Sequence, residues 1–154
     1  MGDIKRKDNI YSWPRKLFDK KRIDEEKELV KKYGLKNKRE IWKGEFRIKE
    51  IRKIAKSFIN KEEKEREKFL KKIKEMGFNI NSIEDVLALT KEDWLDRRLQ
   101  TIVFKKGLAK TIKEARQLIT HKKVFIGEKM INKPSHFVTS KEESLIRLKE
   151  AKNG

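Results

Sequence analysis

Residues 115–135, ARQLITHKKVFIGEKMINKPS, change their apolar period partway through. In the first half, Ala115, Leu118 and Ile119, with Ile112 just before them, recur at helical spacing. Thr111 followed by Glu114 matches the capping box that opens a helix. The opposite face carries Lys113, Arg116, Gln117, Thr120 and His121. Beyond Lys123 the pattern breaks into the short β-type runs VFIGEKMI, HFVT and SLIRL, separated by Gly127, NKPS and SKEE. Helices followed by a small sheet predict an α+β module. Its helix–turn–strand corner, THKK, gathers donors and positive charge in one place.

Upstream, Ser82 with Asp85 and Thr90 with Asp93 are two further capping patterns, with Asp where Glu or Gln is more usual. The second opens KEDWLDRRLQTIVFKKG, which reads as one helix ended by Gly107. Helical spacing then turns Leu95, Leu99, Ile102 and Val103 inward and sets Arg97, Thr101 and Lys105 in an outward row. Asp96 reads as a local salt partner of Arg97 and Arg98. Further back, residues 24–33 form a short helix stopped by Gly34, and GLKNKRE is a basic turn. Residues 40–59 place Ile41, Trp42, Phe46, Ile48, Ile51, Ile54, Ala55, Phe58 and Ile59 near helical spacing, and NKEEKEREKFLKKIKEMGF continues as a mixed-charge helix to Gly77. The expected organisation is a basic extension over 1–23, a helical part over 24–93 and the α+β module over 94–154.

Charge follows this organisation. Lys and Arg number 43 against 25 acids in 154 residues, a net charge of +18. Residues 1–60 carry +10, residues 61–93 carry −1 and residues 94–154 carry +9. Such self-repulsion is relieved by a polyanion, and two basic ends around a neutral middle fit two contact surfaces on nucleic acid. The chain has no cysteine, which excludes disulfides and thiolate metal sites. Its longest aliphatic run, Val86 to Leu89, is far too short to span a bilayer. The opening MGDIKRKDNI offers no apolar signal core. The expectation is a soluble cytoplasmic protein.

At the THKK corner, Arg116 supplies a planar fork, Lys110, Lys122 and Lys123 supply point charges, and Gln117 and His121 supply neutral donors. In the extension, Tyr11 and Trp13 stand among Arg15, Lys16, Lys20, Lys21 and Arg22. These aromatics either stack on bases while the cations meet phosphates, or Trp13 and Phe18 pack the tail onto the body. Catalysis has little to draw on, with two histidines and no cysteine. No glycine-rich phosphate loop and no carboxylates at metal spacing occur. Neither an enzyme nor a cofactor is expected.

Residues 97–138 resemble the RNA-binding module named after small-subunit ribosomal protein S-four, through Arg98–Leu99, KGLAKT at 106–111, EARQLITHKKV at 114–124 and NKPS at 132–135. YGLKNKREIWKGEFRIKEIRKIAKSF at 33–58 and VLALTKEDWLDRRLQT at 86–101 are similar to the archaeal and eukaryotic branch of the S-four family. The likeness spans nearly the whole chain in the family's order. It implies a structural, primary binder of small-subunit (16S-type) rRNA that nucleates assembly of the subunit body. It also implies a neighbour of the S-five family at an interface linked to decoding accuracy.

By the same resemblance the module's RNA face maps to Arg98, Thr101, Lys105, Lys110, Thr111, Lys113, Arg116, Gln117, His121, Lys122 and Lys123. Lys106 and Lys133 in the module, with Lys36, Lys38, Arg39 and Arg47 in the helical part, complete the candidate set beside Tyr11, Trp13, Arg15 and Lys16. Gln100 and Lys110 stand where bacterial relatives more often have Asp and Ser, and Gly127–Glu128 replaces their Asn–Gly turn. Some bacterial members bind zinc through N-terminal cysteines, which this chain lacks.

The module also occurs in RNA-modifying enzymes and some tRNA synthetases, so an accessory or RNA-modifying factor outside the ribosome is the alternative. The 93 residues before the module hold basic helices without a candidate catalytic site, which weighs against it. A merely solubilising charge would give no reason for the neutral middle.

Overall fold

Asp19 opens the first helix, its carboxylate accepting the Arg22 amide at 3.4 Å, and from there the chain is mostly helical. The computed structural model describes residues 10–149, so what the sequence predicts for 1–9 and 150–154 lies outside the described residues. Helix α1 (Lys20–Lys32) is followed by α2 (Arg39–Phe58), α3 (Glu63–Glu75), α4 (Ile83–Ala88), α5 (Lys91–Asp96), α6 (Leu99–Lys105) and α7 (Ile112–Thr120). Strands β1 (Val124–Ile126) and β2 (Lys129–Met130), the short helix α8 (Ser140–Ser144) and strand β3 (Ile146–Leu148) complete the α+β fold. The sheet is antiparallel in the order β2-β1-β3, with Phe125 opposite Met130 on one side and Arg147 on the other.

Among the described residues, three packed clusters form the interior. Ile119, Val124, Val138 and Ile146 join Leu99, Ile102 and Val103 where α6 and α7 lie on the sheet. Ile48, Ile51 and Ala55 of α2 pack with Phe69 and Ile73 of α3 and with Val86 of α4. Leu29, Tyr33, Leu35 and Ile41 close around Leu95 of α5. Leu95, Leu99, Ile102 and Val103 all point inward, as their spacing predicts. The second cluster also takes Phe137 from the module, which stacks on Trp94 with ring centres 4.3 Å apart. Gly44 lets α2 come this near to α5, since a Cβ there would sit 3.1 Å from the Trp94 ring.

Several predicted elements are divided differently. The helix expected over KEDWLDRRLQTIVFKKG breaks at Arg97–Arg98, where Arg98 is extended (ψ 142). The first amides of α6 find partners across the chain instead: Leu99 donates to the His136 carbonyl at 2.8 Å and Gln100 to that of Pro134 at 3.3 Å. The helix expected to run on from Phe58 also stops, and Glu62 is extended (ψ 150). That turn folds α3 back so that Phe58 and Phe69 stack at 4.6 Å. HFVT is not a strand; it makes a single bridge, Phe137 to Arg98. SKEE forms α8 behind a complete Thr139–Glu142 capping box. No described helix is long and apolar enough to cross a membrane.

Candidate nucleic-acid interface

Helix α7 starts as its sequence predicts at one atom and differs at another. The Thr111 hydroxyl accepts the Glu114 amide at 3.1 Å, but the Glu114 carboxylate reaches back one residue further, to the Lys110 amide at 2.6 Å. At its far end, Lys123 donates to the Leu118 carbonyl at 2.9 Å and Lys122 to that of Ile119 at 3.0 Å. These are the two hydrogen bonds of a Schellman turn, whose left-handed position usually holds glycine. Here Lys122 occupies it with φ 59. The turn projects the THKK corner away from the core. Lys110, Lys113, Gln117, His121, Lys122 and Lys123 are all exposed, and none of these lysines has an acidic side-chain partner among the described residues.

Other predicted residues are already engaged. Thr101 does not share the outward row expected with Arg97 and Lys105, and Arg98, a candidate through the resemblance, is buried with it: the break before α6 resets the helix face. Thr101 donates its hydroxyl to the Leu95 carbonyl at 2.9 Å. Arg98 forms an ion pair with Glu40 of α2. Arg97, expected beside them, bonds the Val138 carbonyl and reaches Glu143 at 2.7 Å. Asp96 consequently pairs with Lys105 at 3.2 Å rather than with either arginine. Lys106 is exposed and donates to the Glu143 carbonyl.

Arg116 is intermediate. Its guanidinium lies 3.3 Å from Glu40 and 3.2 Å from the Gln100 side-chain oxygen, with a quarter of the side chain open to solvent. Burial by itself would raise the Glu40 carboxyl; hydrogen bonds and charge from Arg98, with help from Arg116 and the Lys36 amide, outweigh it and hold the group below its ordinary value. Gln100 is buried and bridges the two parts of the chain, its nitrogen 3.1 Å from the carbonyls of both Tyr33 and Gly34 and 3.3 Å from that of Ile112. Beside this network opens a cleft of about 260 Å³ lined by Lys43, Arg47, Arg98, Arg116, Glu40, Trp94, Pro134, Ser135 and Ile10. Lys43 and Glu40 belong to this site although the sequence pattern marks neither for it. Glu40 and Arg98 are 58 residues apart, so no local spacing announces their meeting.

The N-terminal segment lies against α2. Tyr11 and Trp13 meet Trp42 with ring centres 6.2 and 5.3 Å away, and Arg39 sits over the Tyr11 ring at 5.2 Å. Trp13 nevertheless keeps 62% of its surface exposed. Phe18, at 94%, does not pack the tail down; Arg22 does so by donating to the carbonyls of Lys16 and Leu17 at 3.0 Å. Arg15, Lys16, Lys36 and Lys133 are exposed. Lys38 is drawn to the buried carboxylate of Glu26 at 3.2 Å, and Arg47 to Glu50 at 2.8 Å.

A sequence-family model for the S4 domain matches residues 97–144, the segment from the α5–α6 break to the end of α8. Among curated proteins, the small ribosomal subunit protein uS4 of Thermoplasma acidophilum is 42% identical over 161 aligned positions, covering 97% of this chain and 80% of that protein. The protein of the same name from Hyperthermus butylicus is 43% identical, with 95% and 86% covered. That of Saccharolobus solfataricus is 41% identical, with 95% and 84% covered. Similarity of this degree along nearly its full length means that the chain belongs to the uS4 family of small ribosomal subunit proteins.

Proposed function

We propose that this chain is a structural, non-catalytic component of the small ribosomal subunit in the cytoplasm and that it binds the subunit's rRNA through the α7 corner. The observation that carries this reading is the exposed group Lys110, Lys113, Lys122 and Lys123, which has no acidic side-chain partner among the described residues. A cation already paired with a carboxylate within the protein gains little from a phosphate, whereas these four have that interaction still to make. Gln117 and His121 stand among them as neutral donors. Arg116 and the basic cleft extend the face toward α2, and Ile10 brings the N-terminal segment to the same cleft. Trp13 offers a largely open ring for an unpaired base.

The chain clasps an rRNA multi-helix junction between the helical part and the module. It recognises backbone geometry, because A-form grooves hide base edges from side chains. Nucleation of subunit assembly, a neighbour of the S-five family and a contribution to decoding accuracy complete the proposal. Arg98, Thr101 and Gln100 serve in it as supports of the face.

The test is to titrate a small-subunit rRNA fragment and an unrelated structured RNA across salt. The rRNA fragment should stay tighter at physiological salt. A Lys122→Ala, Lys123→Ala double variant should bind more weakly, with a salt slope smaller by roughly 0.9 for each phosphate it no longer neutralises. Coincident curves for the two RNAs, or an unchanged slope in the double variant, would sink the reading.

A further inference from the structure

Helix α3 lies within the neutral middle of the charge distribution, residues 61–93, and the RNA reading gives it no task. Between it and α2 lies an open groove of about 590 Å³, lined by Ile51, Ile54, Phe58, Phe69, Ile73 and Met76 with a rim of Lys61, Glu65, Lys68 and Lys72. Ile54 belongs to the apolar stripe of α2, yet 48% of it is exposed, because α3 covers only part of that stripe. We infer that this groove docks an acidic amphipathic segment of a neighbouring protein in the subunit. The inference rests on the ribosomal reading above.

The rim states the charge of the occupant. Lys61 is satisfied internally, paired with Glu65 at 3.3 Å and lying 4.7 Å over the Phe58 ring. Lys68 and Lys72 have no acidic partner among the described residues. They stand four residues apart on α3, so they share a face one turn apart. A partner segment with apolar anchors for the floor and carboxylates one turn apart at its edge satisfies both features, as in helix-in-groove recognition.

Two other occupants fit worse. RNA has no aliphatic surface to cover Ile54 and Met76, and the Phe58 and Phe69 rings are stacked on each other rather than presented flat to a base. A second copy of this chain, paired about a two-fold axis, would bring the same net basic rim to the groove, its Glu65 already engaged by Lys61.

The experiment places the photocrosslinker p-benzoylphenylalanine at Ile54 of the full chain and, separately, at the exposed rim position Glu65. Each variant is assembled into small subunits and irradiated, and the crosslinked peptides are identified by mass spectrometry. Both positions should capture one protein segment that is net acidic and carries apolar residues. Adding Lys68→Glu to the Ile54 variant should lower the yield by about tenfold through like-charge repulsion. Capture of rRNA, of a second copy, or of a neutral or basic segment overturns the inference. So does an absence of crosslinks from variants that cosediment with the subunit. If the unsubstituted chain itself fails to cosediment, the ribosomal reading falls and this inference falls with it.

Discussion

Lys122 holds a left-handed backbone at φ 59, a conformation that costs a residue with a Cβ on the order of 1 kcal/mol and glycine almost nothing. The Schellman bonds from Lys122 and Lys123 require that conformation at this position. A lysine there trades fold stability for a cation at the exposed corner. Replacing Lys122 by Gly should therefore raise stability by up to about 1 kcal/mol while weakening affinity for the rRNA fragment. Urea unfolding and RNA titration of the same protein check the two signs. A variant that is less stable, or one that binds RNA unchanged, refutes the trade. Glu114 shows how local the chemistry can be: its carboxylate takes the Lys110 amide instead of the amide of its own cap residue, which ties the loop before α7 to the helix.

At the scale of elements, the positions where helices stop decide which side chains are available. Gly77 ends α3 with φ +95, and a Cβ there would collide with the Arg97 guanidinium. That guanidinium in turn holds the Val138 carbonyl at 2.9 Å and Glu143 at 2.7 Å, joining α3, the α5–α6 break and α8. Gly77→Ala combines the cost of a left-handed residue with displacement of Arg97, and should lower stability by about 1–3 kcal/mol. A chemical-denaturation midpoint equal to that of the unsubstituted chain would show that Arg97 has room to move. The Ser82–Asp85 and Thr90–Asp93 pairs form complete capping boxes, so both helix starts were legible from residue type and spacing alone. The stop at Arg97–Arg98 was not, because its amides are satisfied by His136 and Pro134 from a distant loop.

Over the whole molecule, the helical part and the module are held together by a few buried polar contacts as well as by packing. Glu40 of α2 pairs with Arg98 and Arg116, and Gln100 reaches the Tyr33 and Gly34 carbonyls. Glu40 titrates below its ordinary 4.5 in the folded chain. Its contribution to stability is therefore fully present above the unfolded value and is lost as pH falls through the depressed folded one. Glu40→Gln should destabilise by about 3 kcal/mol at pH 7, since it leaves two enclosed guanidinium groups undercompensated. The gap from the unsubstituted chain should narrow at an acid pH below the depressed folded value, where the native carboxyl takes up a proton. Urea unfolding at both pH values measures it, and a gap independent of pH would mean that the pair contributes through shape alone.

By itself the sequence determined the α+β class, the helix starts at Ser82, Thr90 and Thr111, the inward positions of Leu95, Leu99, Ile102 and Val103, and the exposed basic corner after α7. Each of these follows from residue type and spacing within one or two turns. Only the tertiary structure decided that Arg98 and Thr101 face inward, that HFVT crosses to the helical part through Phe137 instead of forming a strand, and that α3 turns back on α2 to leave Ile54 exposed. Those outcomes depend on partners far along the chain: Glu40 for Arg98, Trp94 for Phe137 and Phe69 for Phe58. A local pattern records which side chains are apolar or charged, while the choice between burial and exposure is made by what the rest of the chain brings alongside.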